Sequence, residues 1–216
     1  MNLSASKKLN SFFRQYKNKY FKKHETLLKA GDEPQGLYSL KEGIVRQYAI
    51  SPDGDELTIN MFKSGAMFPV AWVVNDSISP HYFEAISSVH VWIAPKNDVL
   101  NFFKQEPDVL LDLVKRIYTG LDGYFLRMEQ QMAGGAQARL IAELLIYARR
   151  FGEKKNNEIE INLKITQRDL AAQSGMTRET VSRELQKLKA KGLVMALKNK
   201  LIITKLSALE EELLKV

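Results

Sequence analysis

The chain has 216 residues, enough for two small domains, and 45% of them are hydrophobic, which excludes a globally disordered protein. It has no cysteine, so disulfides, cysteine-ligated iron–sulfur clusters and thiol-based redox sensing are excluded. Of the net charge of +7, most lies in residues 136–216, with 16 Lys and Arg against 10 Asp and Glu. A basic C-terminal segment indicates a polyanionic partner, nucleic acid or an anionic membrane, although a merely soluble lysine-rich surface has the same composition.

The first 23 residues predict a short basic amphipathic helix. Leu9, Phe12, Phe13 and Tyr16 recur at helical spacing, which is more typical of packing onto a domain than of membrane binding. The N-terminus has no apolar core of signal-peptide length, and no stretch approaches the roughly 18 uncharged apolar residues of a membrane span. We therefore expect a cytoplasmic protein with no membrane partner.

Residues 25–95 predict an all-β roll or barrel. Turn signals fall at residues 30–32, 41–43, 51–54 and 63–65, between short runs rich in Val, Ile, Tyr and Phe. Each turn has a glycine, which reaches positive φ without a Cβ clash: Gly31, Gly43, Gly54 and Gly65. Two segments have apolar residues at every second position, which is typical of β-strands: Leu57, Ile59 and Met61, then Val89, Val91 and Ile93.

Residues 107–133 predict one long helix with a wide apolar face, because apolar residues now recur about every 3.5 residues. The length and the heptad rhythm favour a seam between two copies of the chain over a face buried only against its own chain. The candidate seam residues are Leu110, Val114, Ile117, Leu121 and Met128. Gly134 and Gly135 then interrupt the helix, which predicts a domain boundary and a hinge. The predicted division is 1–106, 107–135 and 136–216.

The stretch Ile165–Leu188 has the helix, glycine turn, helix pattern of a helix-turn-helix motif. Thr166 and Thr177 can cap the two helices, and Gly175 separates them. Val181, Leu185 and Leu188 are spaced to face inward. One stripe on the other face of the second helix contains Glu179, Ser182, Arg183 and Gln186.

The exposed stripe has the chemistry that reading bases requires. An arginine can donate twice to guanine, and a carboxylate can accept from cytosine. Thr166, Gln167, Arg168 and Thr177 lie at helix starts, where phosphates bind. Residues 193–204 predict a strand, turn and strand with Lys198, Asn199 and Lys200 at the tip, like a wing over the DNA backbone. The alternative is an α-hairpin whose charges are only solvated.

Ile165–Leu188 resembles the DNA-binding motif of the cyclic-AMP receptor/fumarate-nitrate regulator (CRP/FNR) family, and Thr177–Arg183 closely matches its recognition helix. The resemblance extends over nearly the whole chain. It implies an α+β protein with an N-terminal β-roll like a cyclic-nucleotide-binding jelly roll, a long dimerisation helix and a C-terminal winged helix-turn-helix domain.

The resemblance also implies roles. Glu179 and Arg183 would read bases with help from Arg178 and Ser182, in half-sites with a TGA-type core. Gln186, Lys198 and Lys200 would join the residues at the helix starts in backbone contacts. The implied partners are double-stranded DNA, a second copy of the chain and RNA polymerase.

The sensor end departs from the family pattern. The phosphate cassette of the family has a Gly-Glu pair and then an Arg-Ser or Arg-Thr pair, whereas residues 65–86 contain neither pair, and no arginine lies between Arg46 and Arg116. Tyr124 and Phe125 replace the polar adenine-binding residues expected on the long helix. We therefore expect no cyclic nucleotide to bind and no cofactor, since His81 and His90 are isolated. Two interpretations remain for a further set of apolar and aromatic residues: they line an apolar effector pocket, or they fill the core with no ligand. These residues are Met67, Phe68, Trp72, Val74, Tyr82 and Tyr124.

No motif of an enzyme competes with this interpretation, because the chain has no Walker loop, nucleophile elbow or His/carboxylate cluster at metal spacing. The sequence therefore predicts a dimeric, sequence-specific transcription regulator whose effector is unknown. Two alternatives remain: a ligand-binding β-roll that signals through protein contacts, and a nucleic-acid binder without sequence preference.

Overall fold

Antiparallel strands and glycine turns organise the first part of the chain in the computed structural model, which describes residues 3–197 and 200–215. The chain forms two compact units, Met1–Tyr118 and Thr119–Val216. The first unit begins with the elements α1 (Leu3–Arg14), β1 (Lys17–Phe21), β2 (Thr26–Leu28), β3 (Leu37–Glu42), β4 (Ile44–Ile50) and β5 (Glu56–Lys63). It continues with β6 (Met67–Phe68), α2 (Val70–Asn75), β7 (Tyr82–Ala85), β8 (Val89–Ala94), α3 (Lys96–Gln105) and the first part of α4 (Pro107–Ala133).

Two four-stranded antiparallel sheets build the predicted β-roll, in the orders β1-β8-β3-β6 and β2-β7-β4-β5. The four predicted turn glycines, Gly31, Gly43, Gly54 and Gly65, all have φ between +80° and +91°. At Gly43 a side chain is excluded as well, because a Cβ there would lie 2.2 Å from the carbonyl oxygen of Ser88.

The N-terminal helix is shorter than predicted. It ends at Arg14, because residues 17–21 pair with β8 as strand β1 and are no longer free to continue a helix. The prediction that the helix packs onto a domain is confirmed, since Leu9 and Phe13 are buried in a core cluster with Trp72, Val99 and other apolar residues.

The prediction that Leu57, Ile59 and Met61 share one face of a strand is wrong. Gln47 pairs with Asn60 and Tyr48 with Thr58, so Ile59 is an extra residue in β5 and forms a bulge. The bulge reverses the alternation of side chains, which buries Thr58 and leaves Leu57 41% exposed. The second predicted alternation holds in a different form, because both faces of β8 are buried: Val89, Val91 and Ile93 belong to one core cluster, whereas Trp92 and Ala94 belong to the other.

The long helix α4 runs from Pro107 to Ala133, as predicted, and the next helix begins at Ala136, directly after the two glycines. The boundary between the compact units falls inside α4, after Tyr118. Val109 and Leu113 pack into the core of the first unit. Within the described ranges 3–197 and 200–215, no helix is both long and apolar enough to cross a membrane.

The second unit surrounds a central helix, α5 (Ala136–Phe151), of which ten residues are buried. The other elements are β9 (Gly152–Lys155), β10 (Glu158–Ile161), α6 (Gln167–Ser174), α7 (Arg178–Ala190), β11 (Val194–Leu197), β12 (Lys200–Ile203) and α8 (Leu206–Leu213). The four strands form one antiparallel sheet in the order β11-β12-β10-β9, so the predicted wing is the hairpin of β11 and β12. The fold class is therefore α+β, with a β-roll, a long helix and a C-terminal winged helix-turn-helix domain.

Candidate DNA-binding interface

The first helix of the motif, α6, begins with a complete capping box. The Thr166 hydroxyl oxygen accepts a hydrogen bond from the Asp169 backbone N–H at 3.1 Å, and the Asp169 carboxylate accepts one from the Thr166 N–H at 2.8 Å. The predicted cap is therefore confirmed, and the hydroxyl oxygen of Thr166 is engaged in stabilising the helix start. Leu170 and Ala171 lie on the buried face of α6.

The turn between the two helices requires a glycine. Gly175 has φ +62° and ends α6 in the left-handed conformation, while the Met176 N–H donates to the Ala171 carbonyl at 3.1 Å. The Thr177 hydroxyl then caps α7 by accepting from the Thr180 N–H at 3.2 Å. Both predicted features, the break and the second cap, are confirmed.

The second helix, α7, separates its residues into a buried face and a solvent face as the sequence predicts. Val181, Leu185 and Leu188 are at most 4% exposed. The solvent face consists of the exposed residues Arg178, Glu179, Arg183 and Gln186 with the half-buried Ser182. Thus α7 presents two arginines and a carboxylate next to one another on a firmly packed helix.

The buried carboxylate of Glu184, which contacts Arg183, is a feature of α7 that the sequence did not predict. Glu184 is 3% exposed, and one of its oxygens accepts hydrogen bonds from Arg183 Nε at 3.2 Å and from Lys187 Nζ at 3.0 Å. Burial alone would raise the pKa of Glu184, but the bonds from Lys187 and Arg183 outweigh it and the pKa is lowered. A buried, ionised carboxylate therefore holds the Nε edge of Arg183. The signal was available, since Glu184 and Lys187 stand at i and i+3 on the predicted helix.

The residues predicted to contact phosphates belong to α6, α7 and the wing. Arg168 is exposed and Gln167 is half-buried at the start of α6. Lys200 begins β12 and pairs with Glu160 of the neighbouring strand. Lys198 and Asn199, predicted for the tip of the wing, lie outside the described residues.

Comparison with known protein families gives two matches, one to the β-roll and one to the C-terminal domain. Residues 18–106 match the model of the cyclic nucleotide-binding domain, and residues 138–212 match that of the Crp-like helix-turn-helix domain. The chain belongs to the CRP/FNR family of transcription regulators. As a member of the CRP/FNR family it carries a helix-turn-helix DNA-binding domain, and the family consists of regulators, not enzymes.

Full-length relatives agree with this assignment. The global nitrogen regulator of Synechocystis is 27% identical over 198 residues, which cover 89% of this chain and 86% of the relative. The fumarate and nitrate reduction regulatory protein of Escherichia coli K12 is 25% identical over 186 residues, covering 86% of this chain and 74% of the relative.

Solved structures share the fold. A CooA mutant from Carboxydothermus hydrogenoformans has a TM-score of 0.78 at 20% identity, and the aligned region covers 94% of this chain and 90% of the CooA chain. A CRP/FNR-family regulator from Thermus thermophilus has a TM-score of 0.68 at 24% identity, and the aligned region covers 93% of this chain and 99% of the Thermus chain.

Five of the six residues predicted for an effector pocket lie in the first compact unit, where they do not share one cluster. Met67 and Trp72 belong to one core cluster, while Phe68 belongs to the other and stacks on Phe83 with 5.1 Å between ring centroids. Val74 is 61% exposed. Tyr82 stacks on Tyr48 at 5.2 Å. The sixth residue, Tyr124, belongs to the second compact unit.

The two histidines, His81 and His90, have different surroundings. His81 Nδ1 lies 3.0 Å from Gln47 Nε2, and burial lowers the pKa of His81. His90 is buried between strands and stacks on Tyr20 at 4.0 Å. Within the described part of the chain, no group of three or more His, Asp or Glu residues is placed to hold a metal ion.

Proposed function

We propose that this regulator acts as a homodimer that reads a palindromic DNA site through α7. The observation that carries the proposal is the solvent face of α7, where exposed Arg183 and Glu179 stand side by side above a buried apolar face. The guanidinium of Arg183 would donate to guanine N7 and O6 in the major groove, and Glu179 would accept from cytosine N4. Arg178 and Ser182 would assist, and the match of Thr177–Arg183 to the family's recognition helix supports a TGA-type core in each half-site.

Phosphate contacts would fix the position of α7 on the duplex without reading sequence. The amide groups at the starts of α6 and α7 and the side chains of Gln167, Arg168 and Gln186 are available to phosphates beside the major groove. Lys200 would reach the backbone from the wing, as would Lys198. The excess of positive charge in residues 136–216 supports this arrangement.

The dimer would form along α4. This helix bears a run of large apolar side chains that are 37% to 81% exposed in the single chain: Leu110, Leu111, Val114, Ile117, Tyr118, Phe125, Met128 and Met132. Leu121 lies within the run and is half-buried. An apolar stripe of this length on a soluble helix calls for a partner, and the heptad spacing fits a second copy of the same helix. Two copies would present two α7 helices to successive major grooves of a palindrome.

The β-roll of this chain would not take a cyclic nucleotide. A buried phosphate needs a cationic partner. Arg46 already pairs with Glu84 at 2.5 Å and Glu56 at 2.6 Å, and the lowered pKa of His81 leaves that ring neutral at neutral pH. Phe68 and Trp72 are at most 8% exposed and fill core positions in the corresponding segment. These features support a sensor domain with another ligand or with none.

The test is selection of binding sites from random double-stranded DNA by the full chain, in the presence of competitor DNA and at several salt concentrations. We expect a palindromic motif with TGA-type half-sites and a ratio of specific to non-specific affinity that is retained when salt is raised. A basic nucleic-acid binder would enrich no motif and would lose its binding steeply with salt. A β-roll module that works through protein contacts would enrich nothing at any salt concentration. In cells we expect the protein to act in the cytoplasm, on promoters and with RNA polymerase.

A further inference from the structure

The last part of α4 belongs to the same compact unit as the helix-turn-helix motif, since that unit begins at Thr119. This part of α4 bears the end of the apolar stripe, with the exposed side chains of Phe125, Met128 and Met132. The contacts that fix it to the helices after the two glycines therefore determine how a dimer formed along α4 would place its two α7 helices.

Arg127 of α4 and Glu143 of α5 form a largely buried ion pair across the two glycines. Nε of Arg127 donates to Oε1 of Glu143 at 2.5 Å and Nη2 donates to Oε2 at 2.8 Å, so both carboxylate oxygens are engaged. The Glu143 side chain is 1% exposed and that of Arg127 is 21% exposed. A two-pronged contact between a planar guanidinium and a carboxylate fixes direction as well as distance. It therefore constrains the angle between α4 and α5, which apolar packing alone would not do.

Two further contacts join α4 to α5. Arg139 of α5 donates from Nε to the Gly134 carbonyl and from Nη2 to the Gln131 carbonyl, both at 3.2 Å, and so bonds to carbonyls at the end of α4. Gly123 of α4 faces α5, because a Cβ there would lie 3.7 Å from Cγ1 of Ile146. Side-chain contacts thus bridge the glycines that the sequence predicts to be a hinge.

The connection continues from α5 to the reading helix. The buried helix α5 packs against both α6 and α7. The end of α4 also reaches the turn of the motif, since a Cβ on Gly175 would lie 3.3 Å from the side-chain amide of Gln131. The last part of α4, α5 and the helix-turn-helix are therefore linked by contacts at several points.

The side of α4 that contacts α5 differs from the side that bears the apolar stripe. Gly123 and Arg127 stand at i and i+4 and share one side of the helix. Leu121, Phe125 and Met128 of the stripe are related by four and seven residues and share another. A second copy seated on the stripe would leave the contact between Arg127 and Glu143 in place.

We propose that Arg127 and Glu143 are positioning residues that set the spacing between the two DNA half-sites, which rests on the proposed function of a homodimer that reads a palindrome through α7. The pair fixes α5, and with it α7, at one angle to α4. Two α7 helices joined along α4 are then held at a single separation and rotation. Both residues act through the helices that they join, and neither reads a base.

The experiment measures how strongly the full chain discriminates between two spacings. Each protein is titrated with the palindrome that the wild type selects, and with the same duplex after two base pairs are inserted at its centre. The insertion turns one half-site by about 70° relative to the other, since one turn of DNA takes about 10.5 base pairs. For the wild type we expect affinity to fall about a hundredfold or more, because the two half-sites can no longer be engaged together.

The double variant Arg127→Met/Glu143→Leu removes the ion pair and leaves no unpaired charge in the interior, so it should fold. Its apolar contact has no preferred direction, and the angle between the helices is no longer fixed. We expect the loss of affinity on insertion to shrink about tenfold, as for a coupling between residues in contact. Sedimentation should still show a dimer. Weaker folding alone would lower affinity for both duplexes by the same factor and leave their ratio unchanged.

Two further variants complete the test. Arg149→Met/Glu210→Leu removes an ion pair of 3.0 Å between α5 and α8 by the same residue changes, and should keep the wild-type ratio. Arg127→Lys keeps a positive charge opposite Glu143 but lacks the planar fork, and should relax the ratio in the same direction as the double variant.

The outcomes separate this proposal from the function on which it rests. A folded double variant that keeps the full wild-type loss on insertion would overturn it; if the double variant does not fold, Arg127→Lys with the full loss would do so. Relaxed spacing in the Arg149/Glu210 variant would also overturn it, because the effect would then not depend on the pair between α4 and α5. A wild type that selects no palindrome would instead contradict the proposed function itself.

Discussion

Nε of Arg183 lies 3.2 Å from Oε1 of Glu184, the residue that follows it in α7. The same oxygen accepts a hydrogen bond from Lys187 Nζ at 3.0 Å. The Glu184 side chain is 4% exposed, whereas that of Arg183 is 64% exposed. The buried carboxylate thus holds an exposed arginine by one edge. In the proposed complex, N–H groups on the other two guanidinium nitrogens, Nη1 and Nη2, would donate to N7 and O6 of a guanine.

We expect Glu184→Gln to reduce the discrimination between specific and random DNA. The substitution keeps the shape of the side chain but removes the charge that orients Arg183, and it also makes the surface more positive. Affinity for random DNA should therefore rise slightly, while the ratio of specific to non-specific affinity falls about tenfold, on the order of 1.4 kcal/mol. Titrations of both duplexes at one salt concentration measure this ratio.

A matched control for that experiment is Glu211→Gln, which removes an exposed carboxylate from α8. It should leave the ratio unchanged. Equal gains in affinity for specific and random DNA in the Glu184 variant would show that its charge acts only through the overall field, and that it does not position Arg183.

Substitutions in the apolar stripe of α4 should dissociate the proposed dimer. Ile117→Glu and Leu121→Glu each place a charge where a partner helix would remove it from water, at a cost of several kcal/mol. Ile117 is 44% exposed in the single chain, so its substitution should not disturb the fold of the chain itself. Sedimentation velocity should show monomers for both variants. Lys104→Glu places a glutamate at an exposed residue of α3, outside the stripe, and should remain dimeric; if the stripe variants also remain dimeric, the seam lies elsewhere.

Cyclic AMP should neither bind the chain nor raise its affinity for DNA. Within residues 65–86 the one basic side chain is His81, whose lowered pKa keeps it neutral at neutral pH, so a phosphate there would have no counter-charge. Calorimetry with cyclic AMP should give no heat of binding. A micromolar dissociation constant would contradict this account and would require a cationic partner for the phosphate among the residues of the β-roll.

Stability should decline as the pH falls through the range of histidine titration, partly because of His90. Burial lowers the pKa of His90 below the ordinary value of 6.5, Lys41 lowers it further, and Glu42 opposes them. Since the folded pKa lies below that of the unfolded chain, the unfolded state takes up the proton first. The free energy of unfolding is therefore unaffected above this range and falls as the pH drops below about 6.5, by the order of 1 kcal/mol or less.

The variant His90→Phe tests this linkage. Phenylalanine keeps an aromatic ring against Tyr20, which stacks on His90 at 4.0 Å, but has no proton to gain. Chemical denaturation between about pH 7.5 and about pH 5.5 should give a shallower decline for the variant than for the wild type. A smaller decline will persist through His81, whose pKa burial also lowers. Parallel curves for the two proteins would mean that His90 does not contribute.

The helix-turn-helix was predictable because its signals are local. Thr166 with Asp169, Gly175 and Thr177 each determine the backbone within a few residues, and the structure has every one of these caps and turns. The bulge at Ile59 was not predictable, because it depends on which residue of the neighbouring strand pairs with Asn60 and with Thr58.

Long-range packing limits the prediction of the sites in the same way. Helical periodicity assigned Val181, Leu185 and Leu188 to the interior correctly, but Glu184 lies beside them and is buried despite its charge because Arg183 and Lys187 neutralise it.

The central claim, that Arg183 reads a base while the wing only clamps the backbone, is tested most directly by selecting sites from random DNA with the wild type, Arg183→Ala and Lys200→Ala. Arg183→Ala should lose about 1–3 kcal/mol per half-site and lose its preference at one guanine of each half-site. Lys200→Ala should keep the wild-type motif, weaken all sequences alike and flatten the salt dependence. If Arg183→Ala selects the wild-type motif while Lys200→Ala alters it, the reading and clamping roles are reversed; if the wild type selects no palindrome, the sequence-specific regulator proposed here is contradicted.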